Sequence, residues 1–165
     1  MEPVIARWEW RTFGQSFGPA EEKLEALLPE KVQQSDETYL LSLSSDANVK
    51  IRDGLMDIKS LEHVDENGLE QWKPVLKEPF PLDAASLAVV REALRLPPGP
   101  EPGRGLELQE LLEALDRSNA PVRVVQVSKT RTRFRIEGCV AERTAVTADG
   151  WRCRPSPSRT RSPRR

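Results

Sequence analysis

Hydrophobic and polar positions alternate with a period of two along much of the chain, the spacing of half-buried β-strands. Over residues 47–52, Ala47, Val49 and Ile51 fall on one face, and Asn48, Lys50 and Arg52 on the other. Asp53-Gly54 is a hairpin signal. Beyond it Met56 and Ile58 resume the apolar face, with Leu55, Asp57 and Lys59 opposite. Bulky residues over 3–13 and 37–43 predict two more strands. Asp65-Glu66-Asn67-Gly68 predicts a turn into a strand over 69–78, where Pro74 marks an edge or a bulge.

The period then lengthens. Leu87, Val90, Ala93 and Leu94 share a face at helical spacing and predict a helix over 83–95. Leu108, Leu111, Leu112 and Leu115 predict another over 106–117, and a short helix is expected over 20–28, between Pro19 and Pro29. Residues 97–105, rich in Pro and Gly, read as a flexible linker. Three further strands are predicted at 122–128, 131–136 and 139–146, the last two joined by Glu137-Gly138. Strands, then helices, then strands indicate α+β with a mainly antiparallel sheet. Cys139 is expected to be a small buried strand residue, and His63 to be exposed near a turn. Trp8, Trp10 and Trp72 are expected to pack rather than stack on bases.

Composition narrows the classes. The chain has 165 residues, enough for one domain with a core. Charged residues make up 31% and mean hydropathy is −0.55. No apolar run approaches the roughly 20 residues of a membrane span. The first residues carry an early acid and no apolar h-region, so no signal peptide is expected, and a cytoplasmic location is. Two cysteines and a single histidine form no metal-ligand spacing and leave little room for His-based triads. The net charge of −1 hides an asymmetry: residues 151–165 hold six arginines and no acid, whereas residues 1–150 carry 19 basic and 26 acidic side chains. A general nucleic-acid binder is usually basic throughout, so nucleic acid is an expected partner only through the tail.

Within this acidic body one row of cations stands out. Lys129, Arg131, Arg133 and Arg135 occupy every second position and would line one strand face over roughly 20 Å. Four like charges repel unless an anion sits opposite; the alternative is a solvated sheet face. Lys50, Arg52 and Lys59 supply a second row and favour a ligand with several negative charges. Cation-bearing strands with this alternation suggest a sheet curved around a charged interior.

Three short motifs recur in order: Glu9-Trp10-Arg11; Lys50-Ile51-Arg52, a turn, then Asp57-Ile58-Lys59; and Lys129-Thr130-Arg131 ahead of Val140-Ala141-Glu142. With these the chain resembles, over residues 3–150, the CYTH superfamily or triphosphate tunnel metalloenzymes. That group includes class IV adenylate cyclases, thiamine triphosphatases and inorganic triphosphatases. Arg7 stands where the family has its first acid, and no acidic Glu-x-Glu motif follows Gly150. The resemblance implies a CYTH-like tunnel barrel, here incomplete, with flanking helices. It implies that Arg11, Lys50, Arg52, Lys59, Lys129, Arg131 and Arg133 bind substrate phosphates. Glu9 and Glu142 would be catalytic and would hold Mg²⁺ or Mn²⁺. The expected ligand is polyphosphate or a nucleoside or organic triphosphate, and the expected activity is metal-dependent phosphohydrolysis; the alternative is a non-catalytic binding module. Asp57 and Glu70 are weaker candidates.

The tail, residues 151–165, reads as a basic disordered segment, as a polyanion tether, or as out-of-frame translation of a GC-rich sequence. One codon choice read in the neighbouring frame gives a strand-like peptide ending in acids. A truncated barrel would leave a sheet edge unpaired, so a homodimer through that edge is expected.

Overall fold

The computed structural model describes residues 6–99, 103–118 and 121–149, and the backbone of residues 151–152. The elements in chain order are β1 (Arg7–Glu9), α1 (Pro19–Glu25), β2 (Lys31–Ser42), β3 (Asn48–Arg52), β4 (Leu55–Val64), β5 (Glu70–Pro79), α2 (Ala84–Leu94), α3 (Leu108–Arg117), β6 (Val122–Ile136), β7 (Cys139–Ala148) and β8 (Trp151–Arg152). The strands form one sheet in the order β1-β5-β4-β3-β2-β6-β7-β8, with every neighbouring pair antiparallel. The fold is α+β, and the sheet curls into an open half-barrel.

Local chemistry sets this register. Asp53 and Gly54 have φ of 54° and 72°, and Glu137 and Gly138 have 48° and 83°. Two successive positive φ values let a two-residue hairpin follow the twist of its strands. Asp65 closes the next turn by accepting hydrogen bonds from the backbone N–H groups of Asn67 (2.9 Å) and Leu69 (2.8 Å). Pro74 cannot donate to a ladder, and it lies beyond the three residues of β5 that β1 covers. The β4–β5 register shifts at Ile58/Lys59, opposite this proline. Asp83 caps α2, accepting from the Ser86 N–H at 2.7 Å.

One face of the sheet is apolar. Leu40, Val49, Ile51, Met56 and Ile58 pack against Leu87, Val90 and Leu94 of α2 and Leu111 and Leu115 of α3. Ser42 ties the end of β2 to this layer, its hydroxyl donating to the Leu94 carbonyl at 2.9 Å. The other face carries the charges and is concave. On a flat sheet, the five strand steps from β1 to β6 would span about 24 Å. Yet Arg11, two residues past β1, lies near enough to Lys129 of β6 for its charge to add to the lowering of the Lys129 pKa, after the larger effect of burial.

Several expectations are corrected. The strands predicted at 122–128 and 131–136 are one 15-residue strand, β6; Lys129 and Thr130 keep pairing with β2, and no turn residue interrupts them. The strand expected over 37–43 starts at Lys31, because the polar half of β2 is held by main-chain pairing with β6 rather than by apolar burial. The strand expected over 3–13 is confined to Arg7–Glu9 among the described residues, where β5 offers a partner. Cys139 is exposed at the start of β7. Trp72 is buried, but Trp8 and Trp10 are 49% and 62% exposed. Trp8 instead meets His63 edge-on, at 5.8 Å between ring centroids. Residues 100–102 of the expected linker and 153–165 of the tail lie outside the described residues. No helix among the described residues is long and apolar enough to cross a membrane.

Candidate functional site

β2 runs between β3 and β6, and Glu37 lies midway along it. Its register partners are Arg52 on β3 and Val127 on β6. Side chains two residues along a strand share a face, so Lys50 and Lys129 sit diagonally across from Glu37, with Arg131 one step further along β6. The Glu37 side chain has no exposed surface, and those of Lys50, Lys129 and Arg131 are 13%, 16% and 14% exposed.

All four cations converge on that one carboxylate. Its Oε1 accepts from Arg131 and from the Ser35 hydroxyl (3.1 Å), with Arg52 at 3.7 Å. Its Oε2 accepts from the Tyr39 hydroxyl (2.9 Å), Lys129 (3.1 Å) and Lys50 (3.4 Å). Lys129 also donates to the Tyr39 hydroxyl and lies 4.5 Å from the centroid of its ring. Asp57 of β4 stands behind Lys50 (3.9 Å) and Arg52 (3.6 Å).

The electrostatics follow from these contacts. Burial pushes the Glu37 carboxyl up, but the Arg131 hydrogen bond, the charges of Lys50 and Lys129 and the Tyr39 hydroxyl together hold it well below the carboxylate range. Burial and the neighbouring Glu37 charge push the Tyr39 hydroxyl up. Burial lowers both Lys50 and Lys129; Glu37 opposes that, while Arg52 reinforces it at Lys50 and Arg131 at Lys129.

Two smaller groups flank this centre. On the β1 side, Glu9 accepts from Lys59 (3.0 Å) and Arg11 (3.1 Å), and Arg11 reaches Glu70, the register partner of Glu9, at 3.6 Å. The Arg11 guanidinium lies 5.2 Å from the Trp72 ring centroid, and the Trp72 indole N–H donates to Glu70 at 2.9 Å. On the β7 side, Glu142 meets Arg133 at 3.2 Å and Arg131 at 3.6 Å. Arg135 is 54% exposed and pairs with Glu30, at the rim.

The structure therefore gathers Lys50, Arg52, Lys129 and Arg131 at the centre, Arg11 and Lys59 with Glu9, and Arg133 with Glu142. Glu9 and Glu142 lie on strands separated by five others. Sequence reasoning missed Glu37, Ser35 and Tyr39. The expected strand begins at Glu37, whereas β2 begins at Lys31 and has Glu37 in its middle. The period-two relation of Glu37 to Tyr39, opposite the apolar Leu40, was the available signal.

Seven cations and the six acids Glu9, Glu37, Asp53, Asp57, Glu70 and Glu142 share these contacts, an excess of one positive charge. Among the described residues no three His, Cys, Asp or Glu side chains form a metal cluster. Mg²⁺ needs fewer, binding through one or two carboxylates together with substrate oxygens. Glu9 and Glu142, each about a third exposed, have the hard oxygen chemistry for that role. Compared with known proteins, the chain matches no family model and no curated sequence.

Proposed function

We propose that the concave face binds the phosphates of a polyphosphate or of a nucleoside or organic triphosphate, and that the chain hydrolyses this ligand with Mg²⁺ or Mn²⁺. The observation that supports it is the convergence of four part-buried cations on one face that keeps an excess of positive charge. Planar guanidinium groups and lysine ammonium groups both suit phosphate oxygens, Arg by paired hydrogen bonds and Lys as a point charge. Phosphoryl transfer needs charge neutralisation and alignment more than covalent assistance, so the scarcity of histidine is no obstacle.

In this reading Lys50, Arg52, Lys129 and Arg131 hold the central phosphates. Arg11 with Lys59, and Arg133, hold the two flanks. Glu9 and Glu142 would carry the metal, which would supply charge neutralisation at the phosphate oxygens and activation of the attacking water. To receive a metal, both acids must exchange their basic partners, which are then free to turn to phosphate.

That same pairing favours a second reading. Glu9 and Glu142 are each already neutralised by two cations, as befits a binding module that does no chemistry. Phosphate release from tripolyphosphate with Mg²⁺ or Mn²⁺, lost in Glu142→Ala, would establish hydrolysis. Metal-independent binding without release from folded protein would establish the module. Absence of both would end the phosphate reading.

A further inference from the structure

We infer that Glu37 is a positioning residue of the concave face: its buried carboxylate gathers Lys50, Arg52, Lys129 and Arg131 into one phosphate-ready surface before a ligand arrives. The inference rests on the phosphate-binding reading above and assigns a role to a residue that no motif marks.

Two cations come from β3 and two from β6, and β2 lies between, so the four could splay apart along separate strands. Burying charge without a partner is costly. Glu37 removes that cost for all four at once, because its two oxygens reach every one of them. Its own orientation is fixed from β2 by the Ser35 and Tyr39 hydroxyls. The carboxylate is enclosed, while Arg52 keeps 29% of its side chain exposed and Arg131 also reaches the more open Glu142. The anion thus lies enclosed beneath cations that keep between 13% and 29% of their side chains exposed. A ligand meets an assembled site and need not order four long side chains itself.

Glu37 also governs protonation. Lys50 faces Glu37 and Tyr39 of β2, Arg52 of β3, Asp57 of β4 and Lys129 of β6. Lys129 faces Glu37 and Tyr39, Arg131 beside it, and Arg11 from the β1 side. Among these groups, Glu37 is the anion in contact with both lysines. Without its charge, burial and like-charge repulsion act on them with less opposition, and both lose their protons at lower pH.

The test compares wild type, Glu37→Gln and the milder Tyr39→Phe, which removes one of the bonds holding Glu37. Tripolyphosphate binding is measured by calorimetry from about pH 6.5 to about pH 9, each variant being referred to wild type at the same pH to cancel the ligand's own ionisation. The expected result is a relative affinity for Glu37→Gln that falls about tenfold or more across that range, one lysine pKa unit being a factor of ten. Tyr39→Phe should show a smaller fall in the same direction. A Glu37→Gln protein that binds more tightly than wild type by a constant factor at every pH would overturn the inference, since Glu37 would then be a simple competitor for the cations.

A second readout is independent of phosphate: NMR titration of ¹³C-methylated lysines, assigned with Lys50→Arg and Lys129→Arg. Both resonances should titrate lower in Glu37→Gln, or to a lesser degree in Tyr39→Phe if the first variant does not fold. Unchanged titration would overturn the role of Glu37. A wild type that binds no tripolyphosphate would overturn the phosphate reading instead, with the lysine titration still deciding what Glu37 does.

Discussion

Glu37 on β2 and Arg131 on β6 are joined by a hydrogen bond from Nη2 to Oε1, and Nη1 of the same guanidinium donates to the Ser35 hydroxyl at 2.6 Å. Ser35 in turn donates to Glu37, closing a ring of three side chains across two strands. The cationic row of β6 is thus held to the sheet by an anion of the protein's own. Removing the charge of Glu37 takes from Lys129 its anionic partner and leaves Lys50, Arg52 and Arg131 with their contacts to Asp57 and Glu142. Glu37→Gln should therefore destabilise the fold by about 3–5 kcal/mol, the range for breaking a buried pair from one side. Urea unfolding measures it. A loss within experimental error would mean that the cations relax into solvent at no cost.

The same carboxylate sets an acid limit. Its folded-state pKa lies below its ordinary value of 4.5, so the native state binds fewer protons than the unfolded chain in that region. The stabilisation is complete above about pH 4.5 and is lost as pH falls from there through the depressed native value. Wild-type stability should decline with acidification in this window, and Glu37→Gln should show a shallower decline from a lower plateau. Thermal unfolding between about pH 2.5 and about pH 6 distinguishes the two; parallel curves would assign the acid limb to other carboxylates.

Arg131 and Arg133 are neighbours on one strand face but should behave differently. Arg131 is 14% exposed and engages Glu37, Ser35 and Glu142, whereas Arg133 is 45% exposed and engages Glu142. Arg133→Ala should cost at most about 1 kcal/mol of stability, as exposed pairs do. If the face binds phosphate, it should still weaken tripolyphosphate affinity and reduce its salt dependence. Arg131→Ala should lose affinity and stability together. Equal stability losses in the two variants would contradict the burial difference.

How much of this was legible in the sequence depended on which force holds each element. The Asp53-Gly54 hairpin, the apolar faces of β3 and β4 and the inner faces of α2 and α3 announce themselves through turn chemistry and burial, both of which act locally. The first half of β2, Lys31-Val32-Gln33-Gln34-Ser35-Asp36, carries almost no apolar signal. It is a strand because β6 pairs with it from nearly a hundred residues away. That long-range pairing also makes β6 continuous and places Glu37 mid-strand. The cations could be read from their period of two; Glu37 shares that period with Tyr39, but its role as their common partner depends on β6, which is distant in sequence.

If the concave face binds phosphate, the two faces of β4 allow stability and binding to be separated. Ile58 is fully buried in the apolar layer, while its neighbours Asp57 and Lys59 point to the concave face and pair with Arg52 and Glu9. Ile58→Ala removes buried methyl and methylene groups and should cost about 2–5 kcal/mol, the upper end applying if the core cannot collapse around the gap. Because the apolar face carries none of the charges, tripolyphosphate affinity under conditions where the variant is folded should stay within about twofold of wild type, the changes being too far apart to share partners. Lys59→Met should do the reverse, losing affinity with little change in the urea midpoint, because its pairing with Glu9 is partly exposed. Calorimetry and urea unfolding on both variants make the comparison. If Ile58→Ala weakened binding as much as Lys59→Met, the concave face would not be a rigid, preassembled surface, and its affinity would depend on the packing beneath it.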